Sequence, residues 1–212
     1  MVRDRTARTA IPPRTSSHPR SAMLEGEFLI RWTIRLALLL YAVVLTGRLA
    51  ALVRPELARG AEPWLRGLWL AGAAFMLAHL TAAFHFYHHW SNQHAVQDTA
   101  EQTQALLGVP FGAGIYFSYV FVALWVADAL WWAAAPRSYN RLPLGCRLAL
   151  HAYLFFIAFN GAVVFEAGVT RWGGIAVTLL FGGLLFAVAL RRGRAVDQPV
   201  AEPATENRAA AS

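Results

Sequence analysis

Hydrophobic residues are concentrated in five long blocks, which are separated by shorter polar or arginine-rich connections. The blocks run over about 28–53, 64–90, 110–135, 144–166 and 173–190. Each is long enough to cross a hydrocarbon core of about 30 Å as an α-helix rising 1.5 Å per residue. Lipid offers no partner to unpaired backbone groups, so helices are the expected element. The pattern predicts an all-α integral membrane bundle of five transmembrane helices.

The residues outside the blocks predict two disordered tails. Residues 1–26 are rich in Arg, Pro, Ser and Thr, and residues 195–212 are rich in Ala, Glu and Pro. Such segments cannot bury enough apolar surface to offset the entropy of folding. The transmembrane domain is therefore expected over 27–194. The apolar stretch after Phe28 is too long for a signal peptide, which favours a first membrane helix.

Composition agrees with a membrane setting and argues against a nucleic-acid partner. The chain is 57% hydrophobic and 15% charged, against about 45–50% and about 25% in soluble domains. All 19 basic residues are Arg, giving a net charge of +7, but they flank the apolar blocks, as is usual at the ends of membrane helices. The expected partner is the lipid bilayer, with a homo-oligomer or a larger membrane complex as further possibilities.

Arginine placement bears on orientation. More arginines fall in the first and third connections and after the last block than on the other side of the membrane. The positive-inside rule then favours an outside N-terminus and an inside C-terminus in a bacterial cytoplasmic membrane. The basic N-terminal tail favours the reverse, so both orientations stay open.

Histidines are concentrated at the end of the second block. Five of the seven lie within sixteen residues. At 100° per residue, His85, His88 and His89 fall within one 100° arc of a continuous helix. Small residues share that arc, and small residues mark the faces on which membrane helices pack. The arc is therefore predicted to face the interior of the bundle.

The polar connection 91–109 adds carboxylates near these histidines. It predicts a short helix capped by Ser91 or Asn92 and ending at Gly108. The fourth-to-fifth connection lies on the same side of the membrane, which places Glu166 level with the histidines. The candidate metal ligands are His85, His88, His89, His94, Asp98, Glu101 and Glu166. Imidazole with carboxylate suits Zn or Fe; the alternative is that these side chains simply meet headgroups and water.

A second candidate site lies deeper in the membrane. Asp128 in the third block and His151 in the fourth flank a hairpin at nearly equal distances from its centre. An Asp in a membrane helix costs about 2.5–3.5 kcal/mol on insertion scales and usually has a partner. We expect Asp128 to pair with His151, either as a structural hydrogen bond or as a proton or ion relay.

Three resemblances accompany these motifs. The segment from His85 to His89 has the form HxxHH and resembles one histidine box of membrane fatty-acid desaturases and hydroxylases, which implies iron binding, although no second box follows. His79 and His151 resemble the haem ligands of five-helix cytochrome b subunits, which implies haem between them. The pattern from His79 through Asp128 resembles a family of small bacterial multi-pass membrane proteins, a likeness that implies no activity.

Four functions follow as hypotheses. The first is a membrane protein that binds a transition metal through the His/carboxylate cluster, with no catalytic residue assigned. The others are a non-catalytic accessory subunit of a membrane complex, a small proton-coupled transporter using Asp128 and His151, and a haem-binding subunit.

Overall fold

The computed structural model describes residues 18–164 and 168–196, and within these ranges the chain is helical, without strands. The helices are α1 (His18–Val53), α2 (Pro55–Phe86), α3 (Asn92–Leu107), α4 (Gly114–Ala134), α5 (Pro136–Tyr139), α6 (Leu144–Phe159) and α7 (Gly168–Val196). The segments long and apolar enough to cross a membrane are Leu24–Leu52, Gly60–Phe86, Gly114–Ala134, Gly145–Val164 and Thr170–Leu190. The predicted five-helix membrane bundle is confirmed.

Helix α1 is longer than the first apolar block. It begins at His18, inside the segment 1–26 that the sequence predicts as a tail. An ion pair between Glu27 and Arg31 at 3.7 Å lies where this extension joins the apolar block, at the i,i+4 spacing that supports an exposed helix. Residues 1–17 and 197–212 lie outside the described residues, so the remainder of both predicted tails is untested.

The five spanning helices close into a ring. Helix α1 packs against α2, α2 against α4, and α4 against α6, while α7 packs against α1 and against the end of α6. The fully buried side chains Val44, Trp69, Trp125 and Leu154 come from four different helices of this ring. The core therefore lies at the centre of the bundle, and apolar side chains on its outside face the region of the lipid.

The ring has two distinct ends. One, here called the α3 side, carries residues 87–113, the turn that ends at Val164 and the start of α7; the other, the α5 side, carries the α1–α2 turn and residues 135–143. Helix α3 is capped as predicted: the Ser91 hydroxyl accepts from the His94 amide at 3.3 Å, and Gly108 ends the helix with a φ of 75°. The Thr103 hydroxyl, buried, accepts from the Phe111 amide at 2.7 Å and ties α3 to the segment that enters α4.

Helix α6 ends in a π-helical turn, Asn160–Val164. The Asn160 side chain donates to the Phe156 carbonyl at 2.7 Å within this turn. Helix α7 approaches the turn at Gly174, where a Cβ atom would lie 2.7 Å from the Val163 side chain. A side chain at this position would force the Val163 side chain to move, so the glycine permits the close approach of α7 to the turn.

Candidate functional site

The predicted His/carboxylate ligands do not converge. His88 Nδ1 lies 3.0 Å from an Asp98 carboxylate oxygen, but the other described candidates are exposed and take no part in that pair: His85, His89, His94 and Glu101. Within residues 18–164 and 168–196, no three His, Cys, Asp or Glu side chains are grouped to hold a metal ion. Glu166 lies outside the described residues. The predicted shared metal site is therefore not assembled by the described ligands.

The physical reason is that α2 ends before the histidine cluster is complete. The helix stops at Phe86, and the chain then turns through His89 and Trp90, whose φ angles are +48° and +60°. Left-handed conformations are uncommon for residues other than glycine, and here the Trp90 amide donates to the Phe84 carbonyl at 2.9 Å. The prediction that the small-residue arc of α2 faces the interior is also wrong: Ala74, Ala78 and His85 on it are exposed, whereas the opposite face of α2 is buried.

The predicted haem ligands lie near opposite ends of the bundle. His79 Nδ1 is 3.0 Å from the Ile30 carbonyl, whereas His151 Nε2 is 3.2 Å from Arg48. Ile30 and Arg48 are separated by about 27 Å along α1 at 1.5 Å per residue. Two axial nitrogens must each lie about 2 Å from one metal ion, so the structure contradicts a haem held between His79 and His151.

Asp128 is at the centre of a buried polar cluster. The carboxylate, 3% exposed, lies on α4, and one of its oxygens accepts a 2.8 Å hydrogen bond from the indole nitrogen of Trp69 on α2. The predicted partner His151 packs against the same indole, with ring centroids 6.0 Å apart, and its Nε2 atom lies 3.2 Å from Arg48. The predicted Asp128–His151 pair is wrong because Asp128 is turned towards α2 and not towards α6.

Arg48 connects the residues around Asp128 that come from α5 and α6. It lies near the end of the first span, where its position predicts a snorkelling side chain, yet its guanidinium turns inward. Nη1 donates to the Tyr139 hydroxyl at 3.2 Å and lies 3.2 Å from His151 Nε2. The guanidinium also lies over the Trp132 ring, 4.5 Å from its centroid. We call the group the Asp128 cluster; its members are Arg48, Trp69, Asp128, Trp132, Tyr139 and His151.

The hydrogen bond from Arg48 determines which ring nitrogen of His151 carries the proton. An arginine only donates, so His151 Nε2 must accept, and the proton of a neutral imidazole is then on Nδ1. His151 Nδ1 is buried and has no hydrogen-bond partner among the described residues. The ring therefore carries an unused donor inside the bundle.

Other polar atoms around Asp128 are also buried without a hydrogen-bond partner among the described residues. The indole nitrogens of Trp125 and Trp132 are buried without a partner in the described part of the chain, as is the hydroxyl of Tyr41. Tyr41, Trp69 and Trp125 form a triangle with ring centroids 5.1–5.3 Å apart. Buried polar groups are usually paired, so these atoms mark a polar interior able to take up a proton or a small polar molecule.

Tyr139 closes the cluster on the α5 side. It is fully buried on the short helix α5 and stacks on Trp132, with ring centroids 5.7 Å apart. Burial raises the pKa of its hydroxyl; the Arg48 guanidinium opposes the rise and the Asp128 carboxylate adds to it. The hydroxyl therefore keeps its proton near neutral pH and lies beside both charged members of the cluster.

No family model, curated protein or solved structure matches the chain. The class of protein is therefore set by its fold and site alone. It is a multi-pass membrane protein in which an Asp, an Arg and a His from three spanning helices meet in one buried polar cluster.

Proposed function

We propose that the protein is a small proton-coupled transporter of a bacterial cytoplasmic membrane, and that Asp128 takes up and releases the coupled proton. The observation that carries the proposal is the buried Asp128 carboxylate within a spanning helix, which accepts a hydrogen bond from Trp69 and lies beside the Tyr139 hydroxyl. Ionisable groups inside membrane spans are costly and commonly mark ion or proton pathways.

Charge balance supports a carboxylate that changes its protonation state. Arg48 is close enough to interact electrostatically with Asp128, so the ionised carboxylate has a nearby countercharge. Protonation of Asp128 would leave Arg48 uncompensated and would favour a rearrangement of its bonds to Tyr139 and His151. A buried charge gained or lost in a medium of low dielectric is a strong driving force.

The position of the cluster sets its proposed relation to the membrane. Asp128 lies about 9 Å along α4 from Ala134, and Arg48 about 6 Å along α1 from Leu52, at 1.5 Å per residue. Both are in the half of the bilayer next to the α5 side. That side carries the larger share of arginine, so we assign it to the cytoplasm, with the N-terminus outside.

The other hypotheses have less support from the geometry. A metal site retains only the His88–Asp98 pair among the described ligands, whereas a protein zinc site uses three or four. An accessory subunit of a membrane complex needs no buried titratable cluster, and it becomes the preferred function if Asp128 does not exchange protons.

Infrared difference spectroscopy on purified protein in liposomes tests the proton site without knowledge of the substrate. We expect a pH step to produce a protonated-carboxyl band that Asp128→Asn removes and that Glu101→Gln, an exposed carboxylate outside the spans, leaves unchanged. Any proton uptake that an enclosed pH-sensitive dye reports in these liposomes should be lost in Asp128→Asn. A band that persists in Asp128→Asn would refute the assignment of the proton to Asp128.

A further inference from the structure

A groove between α1, α6 and α7 is lined by none of the metal candidates and by no member of the Asp128 cluster. It encloses about 490 Å³, a volume within the usual range of ligand pockets. Its walls are almost entirely apolar and include Leu38, Ala158, Gly173, Val177 and Phe181. All of these residues belong to membrane-spanning segments, so the groove is a site within the bilayer.

The groove has one charged end. Arg35 is the only charged side chain that lines it within the described residues. The described ion pairs, Glu27–Arg31 and His88–Asp98, do not involve Arg35. The guanidinium instead lies 5.8 Å from the centroid of the Trp32 ring, one helical turn nearer the α3 side. The groove therefore pairs an apolar channel with a cation that no described carboxylate neutralises.

The charged end lies at the level of the membrane interface. Trp172 on α7 is exposed two residues inside the α3-side end of its span, and Arg35 lines the groove together with Thr170 at that end, although the span of α1 itself extends about 16 Å further, to Leu24. Exposed Trp side chains at such positions are typical of the interfacial aromatic belt. From Thr170 the groove follows α7 to Phe181, about 16 Å deeper at 1.5 Å per residue. Its axis thus runs from headgroup level into the acyl region.

We infer that this groove binds one anionic phospholipid, with an acyl chain between α1, α6 and α7 and the headgroup phosphate at Arg35. Apolar walls alone give no preference, because lipid tails are as apolar as the groove. The preference comes from Arg35, since a cation near the headgroups attracts anionic lipid. Retention of the chain comes from close contact with fixed walls.

The bound lipid would contact Tyr41, which packs against the core around Asp128. Tyr41 lines the groove and packs against Trp69 and Trp125. Its buried hydroxyl has no hydrogen-bond partner among the described residues. The acyl chain therefore ends beside an aromatic ring that belongs to the core around Asp128. The lipid site itself does not depend on the proposed proton transport.

Native mass spectrometry of the detergent-purified full chain tests the charge requirement. The probes are dioleoyl phosphatidylglycerol and dioleoyl phosphatidylcholine, titrated separately. We expect one phosphatidylglycerol to be retained in preference to phosphatidylcholine, and Arg35→Gln to weaken it roughly fivefold. Arg31→Gln, which removes a cation one turn away and outside the groove, should retain the preference. Equal effects of the two substitutions would overturn the inference.

A second pair of variants tests the apolar channel. A Cβ atom at Gly173 or at Gly182 would have no neighbour within 4 Å, and only Gly173 lines the groove. We therefore expect Gly173→Phe to abolish retention of both lipids, and Gly182→Phe, on the same helix, to retain them. Unchanged retention in Gly173→Phe would refute the site. A change of oligomeric state in Gly173→Phe, with lipid retention unaltered, would instead assign the groove to a second copy of the chain.

Discussion

Replacing Trp69 with Phe isolates the hydrogen bond that holds Asp128. The substitution removes the indole N–H that donates to the carboxylate at 2.8 Å and leaves a buried charge without that donor. A hydrogen bond to a charged group contributes about 1.5–3 kcal/mol, whereas membrane hydrogen bonds average about 0.6 and reach about 1.7 kcal/mol in double-mutant cycles. Because Asp128 is 3% exposed, we expect a loss of stability for the ionised carboxylate near the upper membrane value, about 2 kcal/mol.

Trp125 is a matched control for the change of ring size. Trp69 and Trp125 are both essentially unexposed, and their rings contact each other, but the Trp125 indole nitrogen has no hydrogen-bond partner among the described residues. The excess cost of Trp69→Phe over Trp125→Phe, measured by unfolding in mixed detergent micelles, therefore reports the hydrogen bond. In an Asp128→Leu background this excess should fall below about 0.5 kcal/mol. Equal costs for the two Trp substitutions in the native background would refute the pairing.

Three further predictions concern other contacts. Arg48→Lys keeps the charge but loses the planar guanidinium, which contacts Tyr139 and His151 and lies over Trp132. The same unfolding assay should therefore show a loss of about 1 kcal/mol. Full retention of stability would contradict this role of the guanidinium. His88→Ala should cost less than about 1 kcal/mol, because its partner Asp98 is 43% exposed, and elemental analysis should show unchanged metal content. Ser91→Ala should cost about 1 kcal/mol by removing the α3 cap, with faster amide exchange in its first turn as the check.

The sequence is sufficient to predict the helices because the bilayer imposes a simple requirement. Any apolar block of sufficient length must be helical there, so five blocks specify five spans. The α3 cap is predictable for a similar reason, since Ser91 and Gly108 act through local chemistry. The start of α1 at His18 is missed because a helix that extends beyond the membrane carries no continuous apolar signal.

The site is predicted less well because the residues that meet in it depend on how far each helix is rotated about its own axis. Asp128 and His151 do lie in one cluster, as expected from their depth, but depth does not specify which neighbouring helix a carboxylate faces. Trp69 has the donor that Asp128 needs, yet it lies on the face of α2 opposite the small-residue arc predicted to face the interior. Arg48 is missed because an arginine near a span end usually snorkels, although its position inside the apolar block was a visible signal.

The triangle of aromatic rings formed by Tyr41, Trp69 and Trp125 gives the protein an optical signal. The ring centroids of Trp69 and Trp125 lie 5.1 Å apart, with an angle of 41° between the ring planes. Aromatic side chains fixed in an asymmetric setting produce near-ultraviolet circular dichroism. This signal disappears when side-chain packing is lost, while the helical far-ultraviolet signal remains. The five exposed indoles, Trp32, Trp64, Trp90, Trp131 and Trp172, face lipid or water and contribute less to this signal. The chain thus contains a native chromophore beside Asp128 that reports disturbance of the bundle centre without an added label.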